Sequence, residues 1–270
     1  MKVNFPPNYK FRKLCLEKRG PIPIIKHIKS AKNVGELKEL FSKISKRDRK
    51  RICKKTQLQS SEPLWHLFRQ ACITGTLIKR VVNAILQEKP SDSINRAISK
   101  FSTRRFTNEA MEYGIKHEKD GVEVLWNYFK KRHRNTKFEK IGICMHEELP
   151  FLVGSPDVLL ICENCCNPGK KLFIGEVKCP YRLRDAGIDA LDLLEYLNED
   201  KTLKTSHTYY FQQNLYCGLN NASMCYFIIW TPKGHQILEI EFDPNLYKII
   251  TYASEKYYFE NYVTQFYNCT

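Results

Sequence analysis

Between residues 141 and 179 the chain changes its period, and that change constrains the fold more than any other feature. Three runs, 141–149, 151–162 and 171–179, are rich in Val, Ile and Phe and are separated by turn residues, so they read as strands. Upstream the apolar spacing is helical. Leu37, Leu40, Phe41, Ile44 and Ile52 mark one helix over 36–55, and Pro63, after Ser61 and Glu62, opens another that reaches about 69. A third covers 74–87, residues 90–102 form a connection with room for a short helix, and Asn108 caps a long helix to 132. Downstream the spacing predicts helices over 185–197 and 206–218, strands over 223–231 and 236–242, and a final helix after Asp243-Pro244. Helices, three strands, then helix and strand make an α/β core. With 43% hydrophobic residues, a chain of 270 can bury that core without disulfides or a structural metal.

Charge divides the chain differently. Residues 1–60 hold 18 Lys and Arg against 4 Asp and Glu, a surplus of 14, whereas residues 61–270 hold 26 against 25. This predicts a basic, mainly helical N-terminal extension over 1–60 and a balanced domain over 61–270. A concentrated surplus suits a polyanion partner, nucleic acid above all. The run from Lys46 to Lys55 could grip phosphates or serve as a nuclear address. The longest apolar runs, such as Cys225-Tyr226-Phe227-Ile228-Ile229-Trp230, are too short to span a bilayer, so no membrane partner is expected. The first residues lack an apolar signal region, which makes an intracellular protein the expectation and thiols the expected state of the eleven cysteines.

The chemistry sits on the strands. Gly154-Ser155-Pro156-Asp157 is followed, nineteen residues after the Asp, by Glu176-Val177-Lys178. Residues two apart on a strand face the same way, so Glu176 and Lys178 project together, and Asp157 on a neighbouring strand can join them. Two carboxylates and an ammonium at one point suit metal-assisted phosphodiester cleavage. The acids would hold a hard cation such as Mg²⁺ through oxygen, and the lysine would orient or deprotonate the attacking water. The competing reading of Glu-x-Lys is an ordinary salt bridge on an exposed strand face.

Four blocks then occur in one order: Trp65-His66-Leu67-Phe68-Arg69 with Ile73-Thr74-Gly75-Thr76; Tyr113-Gly114-Ile115-Lys116-His117-Glu118; Ser155-Pro156-Asp157 with Glu176-Val177-Lys178-Cys179-Pro180; and His207-Thr208-Tyr209-Tyr210-Phe211-Gln212. Together they resemble the PD-(D/E)XK nucleases, specifically the branch of phage lambda exonuclease and the YqaJ-type viral recombinases, across about residues 62–231. The resemblance implies a central mixed β-sheet flanked by helices. It implies that Asp157 and Glu176 are direct metal ligands with the Val177 carbonyl, that Glu118 is a further acidic ligand, and that Lys178 acts on the water, steadied by Gln212. Arg69, Thr76 and Ser155 would receive the 5′-phosphate of a DNA end. The cofactor implied is Mg²⁺, as two ions, with Mn²⁺ a substitute. The partners implied are double-stranded DNA ends, further copies in a homotrimer, and a single-strand annealing protein. Trp65 is expected in the core.

The sequence departs from that family at four places. Thr76 replaces a frequent Ser, Gly75 an Ala, Val158 a Gly after the Asp, and Asn214 a second Gln. None removes a ligand, though Val158 suggests that its strand leaves the site differently. Cys162-x-x-Cys165-Cys166 lacks a second pair at zinc spacing, and Cys269 alone trails the core, so neither zinc nor an iron–sulfur cluster is expected. The seven histidines show no metal-binding pattern, and His117 is expected to be a supporting or surface residue.

The reading is a Mg²⁺-dependent deoxyribonuclease, a 5′→3′ exonuclease on duplex ends in recombination, repair or viral DNA processing. Two alternatives stay open here: an endonuclease of the same fold, and a catalytically silent DNA-binding module worked by the basic extension. The full set of Glu118, Asp157, Glu176 and Lys178 argues against silence, because a binding module has no use for acids facing a polyanion.

Overall fold

The computed structural model describes residues 21–100, 108–166 and 169–267. The N-terminal part is three short helices, α1 (Ile24–Ser30), α2 (Val34–Ser42) and α3 (Lys46–Lys55). The helix expected over 36–55 is therefore two. Ser45 breaks it by forming a capping box, its side chain accepting from the Asp48 N–H while Asp48 accepts from Ser45 N–H. Then come α4 (Pro63–Arg69), β1 (Ile73–Thr74), α5 (Ile78–Leu86), α6 (Asp92–Ser99) and α7 (Glu109–Arg132). Asn108 does cap α7, accepting from the Met111 N–H.

The strand region is cut more finely than its apolar runs suggest, into β2 (Thr136–Lys140), β3 (Cys144–Met145), β4 (Leu152–Gly154), β5 (Val158–Cys166) and β6 (Gly169–Lys178). Ser155-Pro156-Asp157 interrupts the run 151–162, since proline cannot donate to a ladder. After α8 (Thr208–Asn220) come β7 (Met224–Thr231), β8 (Gly234–Glu241), α9 (Pro244–Tyr257) and α10 (Thr264–Tyr267). No α-helix forms over 185–197. Its buried Leu191, Leu194 and Leu197 recur every three residues, the 3₁₀ period, and the segment holds a 3₁₀ stretch at Gly187–Leu193, preceded by another at Tyr181–Leu183.

Five strands form a mixed sheet in the order β2-β5-β6-β7-β8, with β6 and β7 parallel and the other pairs antiparallel; β1-β4-β3 form a second, small sheet. The pleat of β6 sorts its side chains. Phe173 and Val177 pack with Leu125 and Phe129 of α7, while Ile174 packs with Leu215 of α8 on the opposite face. Helices thus cover both faces of the sheet. The basic segment shares this interior: Ile24, Ile28, Leu37, Phe41 and Ile52 belong to the same apolar cluster as Phe151 and Tyr258. No described helix is long and apolar enough to cross a membrane.

Cys162 is disulfide-bonded, against the expectation of thiols throughout, while Cys53, Cys72, Cys144, Cys179, Cys217 and Cys225 are free. Residues 1–20 of the extension, the side chains of Cys165 and Cys166, and Cys269 lie outside the described residues.

Candidate active site

Parity decides which side chains meet. Glu176 and Lys178 share the parity of Ile174 on β6 and so face α8. They touch: Lys178 Nζ donates to Glu176 Oε1 at 2.6 Å, with Glu176 4% and Lys178 24% exposed at the side chain. Asp157 stands just before β5, where the β5–β6 ladder has reached Val158↔Gly175. Its Oδ2 accepts from the Val177 N–H at 2.7 Å, which fixes the carboxylate beside Glu176. The expected trio is therefore assembled, and the exposed salt-bridge reading fails because Glu176 is buried.

Glu118 approaches from α7, which crosses β6 with Gly121 against Val177. It opens to solvent at the rim of the cluster. Burial pushes the Asp157 carboxyl well above its ordinary range, and repulsion from Glu176 and Glu118 adds to it; burial and Glu176 push Glu118 up likewise. Burial disfavours the charge of Lys178, but Glu176 and Asp157 outweigh it and hold this lysine above its usual value. Among the described residues, no three His, Cys, Asp or Glu side chains close into a ready cation cage, and Lys178 occupies one oxygen of Glu176. The other oxygen, Oε2, is buried with no hydrogen-bond partner. Crowded carboxylates and an orphaned acid oxygen fit a divalent cation.

Gln212 is buried on α8, with Nε2 donating to the Tyr216 hydroxyl at 2.7 Å and Oε1 lacking a partner. Tyr216 is a residue the sequence reading missed. It lies one turn after Gln212, within electrostatic reach of both Glu176 and Arg69, and its i,i+4 spacing from Gln212 was the available signal. Its bulk explains Gly75, where a Cβ would come 2.9 Å from Gln212 Cγ and 3.0 Å from the Tyr216 ring. The ring of Tyr209 lies 5.1 Å from Lys178 Nζ, a second missed neighbour.

The three expected phosphate ligands gather around the join of β1 and β4. Trp65 is half-buried instead of sealed in the core, and it organises two of them. Its indole Nε1 donates to Ser155 Oγ at 3.1 Å, and its ring carries the Arg69 guanidinium at 3.8 Å. Arg69 makes no ion pair among the described residues. Thr76 is exposed two residues beyond Thr74, which pairs with Val153 of β4, and its hydroxyl is 3.2 Å from that of Thr74.

The remaining departures have structural explanations. Val158 sits opposite Gly175, where a Cβ would approach Val158 Cγ2 to 2.4 Å, so a glycine across the ladder makes room for the valine. Asn214 is buried and structural, donating to the Tyr210 carbonyl and accepting from the Asp243 N–H at 2.7 Å. His117 stacks on Trp230 at 5.0 Å and bonds Asp120, as a supporting residue would.

The family model of the viral alkaline exonucleases matches residues 13–189. The alkaline nuclease of human herpesvirus 7 (strain JI) is 27% identical over 150 residues, 54% of this chain and 28% of that protein. The chain thus spans under a third of the length of that curated relative. Among solved structures, the alkaline exonuclease LHK-Exo of Laribacter hongkongensis superposes with a TM-score of 0.55 at 14% identity, over 74% of this chain and 92% of that one. The shutoff and exonuclease protein of Kaposi's sarcoma-associated herpesvirus gives 0.51 at 9% identity, over 91% and 80%. At such identities these two likenesses concern the fold.

Proposed function

The chain belongs to the viral alkaline exonuclease family, and from that premise we propose that it is a divalent-metal-dependent DNA exonuclease that starts at 5′-phosphorylated duplex ends. The observation that carries the proposal is the Asp157–Glu176–Lys178 cluster, with Asp157 pushed well above its ordinary range by burial and by Glu176 and with the buried, orphaned Glu176 Oε2. Asp157 and Glu176 would hold the cation, with the Val177 carbonyl and Glu118 completing the set. Mg²⁺ suits these oxygen donors, and Mn²⁺ would replace it. When bound, such an ion neutralises charge on the phosphoryl oxygens and makes water a better nucleophile at neutral pH.

The chain's own groups do the rest. Lys178 commits one N–H to Glu176 and has two more with which to orient a water at the face shared with Gln212. Gln212 Oε1, buried and unpaired, would accept from that water. Arg69, its face on Trp65, presents its N–H edge to a terminal phosphate, a geometry in which guanidinium binds two oxygens at once. Ser155 and Thr76 add hydroxyl donors. A pocket for a terminal phosphate favours attack from an end.

The test is incubation of a linear 5′-phosphorylated duplex and a closed circle, each with and without Mg²⁺. Loss of the linear form alone, and only with Mg²⁺, is the expected result. Loss of both forms would make the chain an endonuclease, and retention of both would make it a silent binder.

A further inference from the structure

The charges of α3 divide into two kinds. Arg49 turns inward, donating to the Ile44 carbonyl at 3.0 Å and to Glu147 at 2.6 Å; Asp48 closes the capping box; Ile52 is buried. Lys46, Arg47, Lys50 and Lys54 are exposed and make no ion pair among the described residues. At about 100° per residue, these four fall within an arc of roughly 100°, and from Lys46 to Lys54 the arc runs about 12 Å along the helix. The only acid of α3 is Asp48, on the other side, and α3 holds no aromatic residue.

The C-terminal end of this helix is fastened beside the site. Thr56 is buried and accepts from the Ile143 N–H at 2.8 Å, and Gln57 donates to the Lys140 carbonyl at 2.7 Å. Gln59 adopts a left-handed backbone with φ 46°, unusual for a side chain of its size. That conformation carries its amide to the Pro156 carbonyl at 2.9 Å and the Ile141 carbonyl at 3.3 Å. Pro156 adjoins Asp157. The basic arc therefore leads away from the loop that supplies the first catalytic acid.

We infer that this arc is a track for the phosphate backbone of double-stranded DNA approaching the site; the inference rests on the nuclease reading above. Four unpaired cations along about 12 Å match a backbone that carries a charge every 3.4 Å or so per strand along its axis. The arc suits a duplex over a single strand, because proteins that follow single strands add aromatic platforms for stacking bases, and α3 has none. Nearby, Lys43 pairs with Glu39 and Arg49 with Glu147, whereas the four cations of the arc make no ion pair among the described residues and form a compact unneutralised strip.

The experiment compares the unmodified chain with the quadruple variant Lys46→Ala, Arg47→Ala, Lys50→Ala and Lys54→Ala, binding a 30-base-pair duplex across a NaCl series without divalent cation. Each neutralised phosphate contributes about −0.9 to the slope of log K against log salt, so the variant's slope should be shallower by about three to four. Between 50 and 200 mM salt the unmodified chain should accordingly lose about 10²-fold more affinity than the variant. Replacing Lys46, Lys50 and Lys54 by Arg should keep the steep slope, which separates lost charge from lost folding. A slope unchanged by the quadruple substitution overturns the inference and leaves the run as an address or a solvated face. An equal change on a single strand of the same length overturns the duplex assignment. Cleavage by the unmodified chain is scored in parallel: if it cuts no DNA, the nuclease reading fails, while the slopes still decide the track.

Discussion

Glu176 is 3% exposed and has a carboxylate oxygen without a hydrogen-bond partner, whereas the four free cations of α3 stand in solvent a short loop away. Both regions hold charge that the fold does not neutralise, at very different cost. An exposed lysine stays hydrated and costs the native state almost nothing. A buried acid beside two other acids costs stability, which a protein sustains only where an outside partner or a reaction uses it. The difference separates chemistry from attraction. Substitutions on β6 should change what happens to a bound strand, and substitutions on α3 should change only how firmly, and at what salt, it is bound.

The sharpest break in this comparison would come from Lys178→Ala. Removing a group that positions the water should lower the single-turnover rate by about 10²–10⁴-fold with DNA affinity nearly unchanged. If instead only affinity falls, by the equivalent of one phosphate contact, Lys178 belongs with the α3 cations. Next in size is Arg69→Ala, which tests the proposed contact to a terminal phosphate. Loss of a charge-assisted contact should cost about 10- to 100-fold in the preference for a 5′-phosphate over a 5′-hydroxyl, with the salt slope moved by about one contact. An unchanged preference would remove Arg69 from end recognition.

A smaller effect bears on the seam that fastens α3 to the sheet. There the Cys53 thiol is lowered to about 7 by a hydrogen bond from Cys144, against the opposing effect of burial. The same contact, with burial, holds the Cys144 thiol well above its usual value. Alkylation of Cys53 should therefore be slow at pH 6 and level off above pH 8, with its midpoint near 7 where an ordinary thiol has about 8.5. Cys144→Ala should move the midpoint upward; a midpoint that stays put would mean that the two cysteines do not meet. Smallest of all, the quadruple alanine variant of α3 should melt within about 2 °C of the unmodified chain, because the four cations of the arc are exposed and make no ion pair among the described residues. A larger drop, read by calorimetry, would erase the distinction between the two regions.

Much of this was legible in the sequence, and what was not has identifiable causes. Period-two spacing put Glu176 and Lys178 on one face, and the strand before them brought Asp157 alongside, because pleat and ladder are local rules. The capping box at Ser45 was equally local but hidden inside a continuous helical pattern. The stretch 185–197 looked helical by composition, and only its spacing of three distinguished it. Tyr216 could have been read from its i,i+4 spacing to Gln212, whereas the bond from Trp65 to Ser155 spans 90 residues, and no periodicity carries that information. The division of the α3 charges was also invisible, since it depends on Glu147 lying within reach of Arg49.

The proposed metal-dependent nuclease activity rests on Asp157, just before β5, and Glu176 of β6. Its most direct test is single-turnover cleavage of a 5′-phosphorylated duplex in Mg²⁺ by Asp157→Asn and Glu176→Gln, with DNA binding measured on the same samples. Each substitution removes a charge and little volume. Cleavage should be abolished in both variants while binding is kept or strengthened, since an acid facing a polyanion has gone. Cleavage at near-normal rates in either variant would contradict that assignment.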